Sequence, residues 1–201
     1  MDEYKTIEKG TEGIYKEKGS KFLAFAHHVD SEDEIKGVIQ SYKESYHDAR
    51  HHCYAWKLGP DDQHYRANDD GEPSGTAGKP ILGQINSFEL TNVLIVVVRY
   101  FGGTKLGVGG LIQAYKQAAY DALNNAEIIN KTVNDYYEVF FKYESMNDVM
   151  RIVKEDDLAI VSQNFDMECT LTFSIRQKRS RYIAEKFSKM NALKCKLLYS
   201  K

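Results

Sequence analysis

Cysteine is scarce. Cys53, Cys169 and Cys195 are far apart and odd in number. That usage argues against a disulfide framework, offers no zinc-finger spacing, and fits a reducing, cytoplasmic setting. Long hydrophobic runs are missing too. The longest, VLIVVV from Val93 to Val98, suits one buried strand and falls far short of a membrane span. No membrane partner is expected. The opening residues, MDEYKTIEKG, lack the apolar core of a secretory leader. Charge of one sign is also lacking: the net is −2, with −4 over residues 1–131 and +2 over residues 132–201. Neither part announces nucleic acid by charge alone, so a polyanion would need a local patch. What is present is 42% hydrophobic content over 201 residues, enough for a core in one or two domains.

The chain reads as two mixed α+β domains. Strand-like segments YKTIEKG and EGIYKEKGSKFLAFAHHV are broken at Gly10 and Gly19. Ser31 and Glu34 then form a capping box before Ile35, Val38, Ile39, Tyr42 and Tyr46 at helical spacing. HHCYAWKL returns as a strand, and residues 59–80 read as one long polar loop, a length that is commonly functional. A short helix is expected around Ile81–Ile85. After the Val93–Val98 strand, a further helix places Leu111, Ile112, Tyr115, Ala118, Ala119, Ala122 and Leu123 on its packed side, with alanines permitting close approach to a sheet. From residue 132 the pattern restarts as strand, a helix capped by Ser145, a hairpin pair LAIVSQNF and MECTLTFSI, a helix, and a last strand LKCKLLY. That β-α-β-β-α-β order is the ferredoxin-like unit. The boundary falls within residues 127–132, giving domains 1–129 and 130–201.

The stretch VRYFGGTKLGVGGLIQAY concentrates five glycines at a strand-to-helix junction. Glycine there marks either tight packing or a ligand approaching the main chain. A helix N-terminus offers unpaired amides and the positive end of a dipole. The segment Arg99, Tyr100, Phe101, Gly102, Gly103, Thr104, Lys105 and Gly107 is therefore a candidate anion or nucleic-acid site, with aromatics able to stack bases. The pattern is not G-x-G-x-x-G, because Ile112 holds the third glycine position. Packing against the sheet is expected for Gly109 or Gly110, and main-chain access for the FGGTK portion.

DDGEPSGTAGKP contributes Glu72, Ser74, Gly75, Thr76 and Lys79. It is not a P-loop, since Pro73 and Pro80 occupy positions that need glycine and Ser/Thr. Its acids Asp69, Asp70 and Glu72 lack calcium-loop spacing and read as a solvated turn. In HDARHHCYAW, His51 and His52 are contact candidates, and alternation sends His52 and Cys53 to opposite sheet faces. No H-E-x-x-H or G-x-S-x-G arrangement occurs, so no metal, cofactor or catalytic set is assigned. RQKRSR places Arg176, Lys178, Arg179 and Arg181 at a helix entry, either as a phosphate contact or as a solvated helix end.

SKFLAFAHHV, HDARHHCYAW, DDGEPSGTAGKPIL and VVVRYFGGTKLGVGGLIQAY, in that order and spacing, resemble the IMPACT family, strongly over residues 15–127. The resemblance implies a first domain like the second domain of small-subunit ribosomal protein S-five and domain IV of elongation factor G. It implies a second domain like that factor's domain V. It also implies regulation: eukaryotic members restrain a translation-controlling stress kinase by competing for its ribosome-bound activator. The expected function is translation-linked binding of RNA, the ribosome or a ribosome-associated protein, without DNA sequence specificity. Two alternatives stand beside it. One is a protein–protein regulator free of nucleic acid; the other is an enzyme drawing on Glu72, Ser74, His51, His52 and Lys105.

Overall fold

A computed structural model describes residues 2–59, 63–166, 168–190 and 193–201. Pro60, Asp61 and Asp62 of the expected loop, and Met167 at the expected hairpin, lie outside the described residues. The chain divides into two compact units, Tyr4–Lys131 and Thr132–Lys201, the latter joined by the first residues through Glu3. No helix among the described residues is long and apolar enough to cross a membrane.

The first unit is built on a five-stranded antiparallel sheet. Its strands are β2 (Thr11–Glu17), β3 (Ser20–His28), β4 (His51–Leu58), β5 (His64–Asn68) and β6 (Val93–Tyr100), in the order β2-β3-β6-β4-β5. Helices α2 (Gly78–Ser87) and α3 (Gly107–Asn124) cover one face and α1 (Glu32–Ser45) the other. This explains the unbroken apolar run of the central strand. Val93, Ile95 and Val97 enter the core beneath α2 and α3, while Leu94, Val96 and Val98 enter the one beneath α1. A strand buried on both faces has no polar side to alternate with.

Local chemistry sets the helices. Ser31 accepts from the Glu34 amide at 3.2 Å, and Glu34 accepts from the Asp30 amide at 2.8 Å, fixing the start of α1. Tyr42 then stacks on Phe25, with ring centroids 4.4 Å apart. Helix α3 lies almost on the main chain of β2. A Cβ on Gly13 would stand 2.2 Å from the Ala122 nitrogen, and Thr11 Oγ1 donates to the Ala122 carbonyl at 2.9 Å. The alanine face of the helix and the bare backbone of Gly13 make that approach possible.

Residues 59–80 are not one loop. β5 pairs with β4 as an edge strand, and α2 begins at Gly78 rather than Ile81. His64, Tyr65 and Arg66 are exposed, so β5 lacks the apolar alternation that marks a strand in sequence. β1 (Glu3–Ile7) falls on the expected YKTIEKG strand, but its ribbon partner β7 (Ile128–Thr132) has no strand signal in the sequence.

The second unit comprises β8 (Asn134–Phe141), α4 (Met146–Glu155), β9 (Ala159–Phe165), β10 (Cys169–Arg176), α5 (Gln177–Ser188) and β11 (Lys194–Ser200). Sheet order β11-β8-β10-β9, antiparallel throughout, is the ferredoxin-like arrangement. Val139, Val149, Cys169, Leu171, Phe173, Ile183 and Phe187 are its innermost side chains. Ser145 stands at the head of α4 without a side-chain cap bond, because a 3-10 turn over Tyr143–Ser145 leads directly into the helix.

Candidate functional site

β6 delivers Arg99, Tyr100 and then the segment Phe101–Leu106 to the start of α3. Gly102 lies against the turn between β2 and β3. Its amide donates to Ser20 Oγ at 3.1 Å, and a Cβ there would stand 1.9 Å from the Gly19 carbonyl carbon. Gly103 and Gly107 adopt φ of +88° and +72° with open space around them, a conformation that side chains disfavour. Gly109 has nothing within 4 Å of its Cβ position, and Gly110 meets only Leu106. The expected division of labour holds for Gly103, which stays open, but not for Gly102 and Gly109. Gly102 serves packing, and Gly109 stands clear of the sheet.

The start of α3 is open. Leu106 occupies the N-cap position with no side-chain cap bond, and Gly107, Val108 and Gly109 are exposed. The first-turn amides of a helix have no intrahelical acceptor. Thr104 and Lys105 are exposed beside them, as is Phe101 at 55%.

α2 offers the contrast. Its N-terminus is filled by Asp69, whose carboxylate accepts from Gly75 at 2.8 Å, Ala77 at 2.9 Å and Gly78 at 2.8 Å. Burial opposes ionisation of Asp69, but those amides and nearby Lys79 outweigh it and hold the carboxyl below its ordinary range. Thr76 is buried and donates to the Pro73 carbonyl, while Ser74 and Lys79 are exposed. Gly75 sits in the turn at φ +76°. The acids expected in a solvated turn are therefore engaged by the protein. Asp70 accepts from the His52 amide at 2.6 Å, and its carbonyl accepts from His51 Nδ1 at 2.8 Å. No cluster able to hold a metal occurs among the described residues.

Arg99 is an interior group. Its Nη1 donates to Glu72 Oε1 at 2.5 Å, with the two side chains 7% and 4% exposed. Tyr115 Oη donates to the same oxygen at 2.8 Å, and Cys53 Sγ donates to Tyr115 Oη at 3.3 Å and to the Asp69 carbonyl at 3.0 Å. The guanidinium carbon lies 5.4 Å from the Phe22 ring and 5.7 Å from the Phe101 ring. Burial, then the Cys53 and Glu72 contacts, push the Tyr115 phenol far up. Burial likewise raises the Cys53 thiol, so thiol and phenol stay neutral. His52 lies on the opposite sheet face and meets the Tyr46 carbonyl through Nε2. Cys53 and His52 are not brought together. Glu72, His51, His52, Gly75 and Thr76 thus lock the 69–78 segment, and Arg99 joins that lock to β6.

The free cations at the junction are Lys18 and Lys105, while Lys16 and Lys21 stand on the α1 face of the sheet. Of these four, only Lys105 is a site candidate in the sequence. Gly102 rests on the turn Lys18–Gly19. In the sheet register Lys16 opposes Lys21, and Lys21 opposes Tyr100. Lys16, Lys18, Lys21 and Lys105 are exposed and form no ion pair among the described residues. KEKGSK carried the signal, but only its glycine had been read, as a strand break. Tyr100 donates to Asp48 at 2.8 Å.

The basic helix entry belongs to the second unit and is largely neutralised. Arg176 pairs with Asp2 and Glu3, Arg179 with Asp156 at 3.4 Å and Arg181 with Glu185 at 3.0 Å. Lys178 is exposed.

Residues 18–123, which contain this junction and the 69–78 lock, match the family described as the Impact N-terminal domain. The chain belongs to the IMPACT family. The Escherichia coli (strain K12) relative, IMPACT family member YigZ, is 37% identical over 150 residues, covering 74% of each chain. IMPACT family member YvyE of Bacillus subtilis (strain 168) is 31% identical over 186 residues, covering 92% of this chain and 85% of its own. A crystal structure of an hypothetical protein, 28% identical, matches 99% of this chain and 98% of that one with a TM-score of 0.76. The likeness to IMPACT proteins therefore extends well beyond the N-terminal match.

Proposed function

We propose that this IMPACT protein is a translation-linked regulatory binding protein. Its first domain meets an anionic partner, RNA of the ribosome or of a ribosome-associated complex, at the β6–α3 junction. One observation carries the reading: an uncapped helix start whose flanking glycine rests on a lysine-bearing turn. Phosphate is the natural ligand of exposed first-turn amides with lysines alongside. Arg99 supports the site from within by holding Glu72 and flanking Phe101. Family membership supports the translational setting, because the resemblance implies regulation of that process in eukaryotic members.

The test is ribosome and RNA binding across a salt series. Wild-type affinity is expected to fall as salt rises, and Lys18→Glu with Lys105→Glu to weaken binding and flatten that slope. Binding unchanged by both reversals would exclude this surface.

A second reading has its own observation. Phe101, Val108 at 60% exposure and Ile112 at 38%, the last expected on the packed side of α3 but turned to its outer face, place apolar side chains at the same junction. That composition suits a protein partner. Partners retained in a pull-down after nuclease treatment, and lost with Val108→Glu, would favour it.

A further inference from the structure

The two helices of the second unit cover one face of its sheet and leave the other open. Register places specific side chains on that open face. Tyr136 and Phe140 project from central strand β8. Across from them on β11 stand Tyr199 opposite Tyr136 and Lys194 opposite Phe140. Tyr136 and Tyr199 are already stacked, with centroids 4.6 Å apart and planes at 21°. Tyr199 is 51% and Phe140 38% exposed. The two ring positions are four residues apart on one strand, about 13 Å at strand rise. Between them lie Glu138 and, opposite it, Lys196. On the other side, β10 lines the same face with the hydroxyls of Thr170, Thr172 and Ser174.

Exposed rings on a flat sheet bind little by area, but they stack well on planar bases. Lys194 beside Phe140 and Lys196 between the two ring positions suit the phosphates joining those bases, and the hydroxyl row can meet ribose 2′-OH groups. An apolar protein partner would leave Lys194, Lys196 and the hydroxyl row unmatched. We propose that this open face is a stacking platform for single-stranded RNA, with Phe140 and the Tyr136–Tyr199 pair as its two base-binding positions. The platform is separate from the β6–α3 junction and does not rest on it.

The experiment uses the full chain and a fluorescein-labelled twelve-nucleotide oligo(U), read by anisotropy at about 50 mM salt. Phe140→Ala and Tyr199→Ala are each expected to weaken binding roughly 5- to 100-fold. Tyr199→Phe keeps the ring and should stay within about twofold of wild type. Lys194→Glu with Lys196→Glu should also weaken binding, with thermal melting confirming that each variant is folded. In the Lys18→Glu/Lys105→Glu background, which removes the junction's contribution, oligo(U) binding and its loss on Phe140→Ala or Tyr199→Ala should both persist, so failure of the junction and failure of the platform are separable. Oligo(dU) should bind several-fold more weakly. Absence of wild-type binding, wild-type affinity in folded Phe140→Ala/Tyr199→Ala, or equal affinity for oligo(dU) would each overturn the assignment.

Discussion

Arg99 and Glu72, 27 residues apart in sequence, meet at 2.5 Å in a nearly solvent-free setting and tie the central strand to the 69–78 segment. Arg99 Nε is buried there without a hydrogen-bond partner among the described residues, so the guanidinium depends on Glu72 and on the two flanking rings. Removing one member of a buried pair leaves the other charge uncompensated, which costs roughly 3–5 kcal/mol. Glu72→Ala and Arg99→Ala are each expected to lose about that much in urea denaturation. A combined Arg99→Met/Glu72→Leu variant should lose clearly less than the two losses added together. Additive losses would mean that the pair is not the unit that holds this segment.

Gly102 and Gly109 should respond oppositely to alanine. At Gly102 the new methyl group meets the main chain of Gly19 and Ser20, which no rotamer change relieves. Gly102→Ala is therefore expected to destabilise by about 2 kcal/mol or more, through displacement of the β2–β3 turn. Gly109 lies in the first turn of α3 with open space at its Cβ position. Gly109→Ala is expected to stabilise by about 0.5–1 kcal/mol through helix propensity and reduced unfolded-state entropy. Thermal midpoints of the two variants decide it. Equal effects of one sign would remove the distinction.

Most of the fold was legible because burial wrote itself into periodicity. The Val93–Val98 run, the Ser31–Glu34 cap and the β-α-β-β-α-β order each follow from local pattern. β5 and β7 were not legible, since a short edge or ribbon strand with exposed side chains has no apolar rhythm. The candidate site was legible as a place but not as chemistry. Sequence shows that Arg99 is cationic, yet not that Glu72 neutralises it. It shows the glycines, yet not which of them touches backbone and which faces water. The lysines of KEKGSK gain their meaning only when Gly102 lands on Gly19.

Cys53 offers a probe of the same network. Its thiol donates to the Asp69 carbonyl and to Tyr115, and burial raises it well above the range of a reactive cysteine. Cys195 is half-buried, with its thiol pushed up to about 11 by burial. In the folded protein at pH 8, Cys53 is expected to resist a thiol reagent until urea opens the first unit, as located by peptide mass. Fast labelling of Cys53 under native conditions would show that the Cys53–Tyr115–Glu72 chain opens readily and that the thiol is accessible to reagents.

Asp69 should give the first unit a specific acid sensitivity. Three amides donate to its carboxylate, and its folded-state value lies below the ordinary 3.8. A carboxyl lowered on folding adds stability that is fully present above its unfolded value and disappears as pH falls through the folded one. Asp69→Asn turns one acceptor oxygen into an amide donor facing a main-chain N–H. At pH 7 this is expected to cost about 1–2 kcal/mol, in line with lost helix caps and charge-assisted bonds. The difference between wild type and Asp69→Asn should hold constant from pH 7 to about pH 5 and shrink below about pH 4, where the wild-type group protonates. Other acids held low in the fold, such as Asp2 and Glu89, are common to both proteins and cancel in the difference. Urea midpoints at pH 7, 5 and 3 measure it. A gap that stays constant down to pH 3 would mean that the charge of Asp69 contributes nothing to the start of α2, leaving its hydrogen-bond geometry as the whole effect.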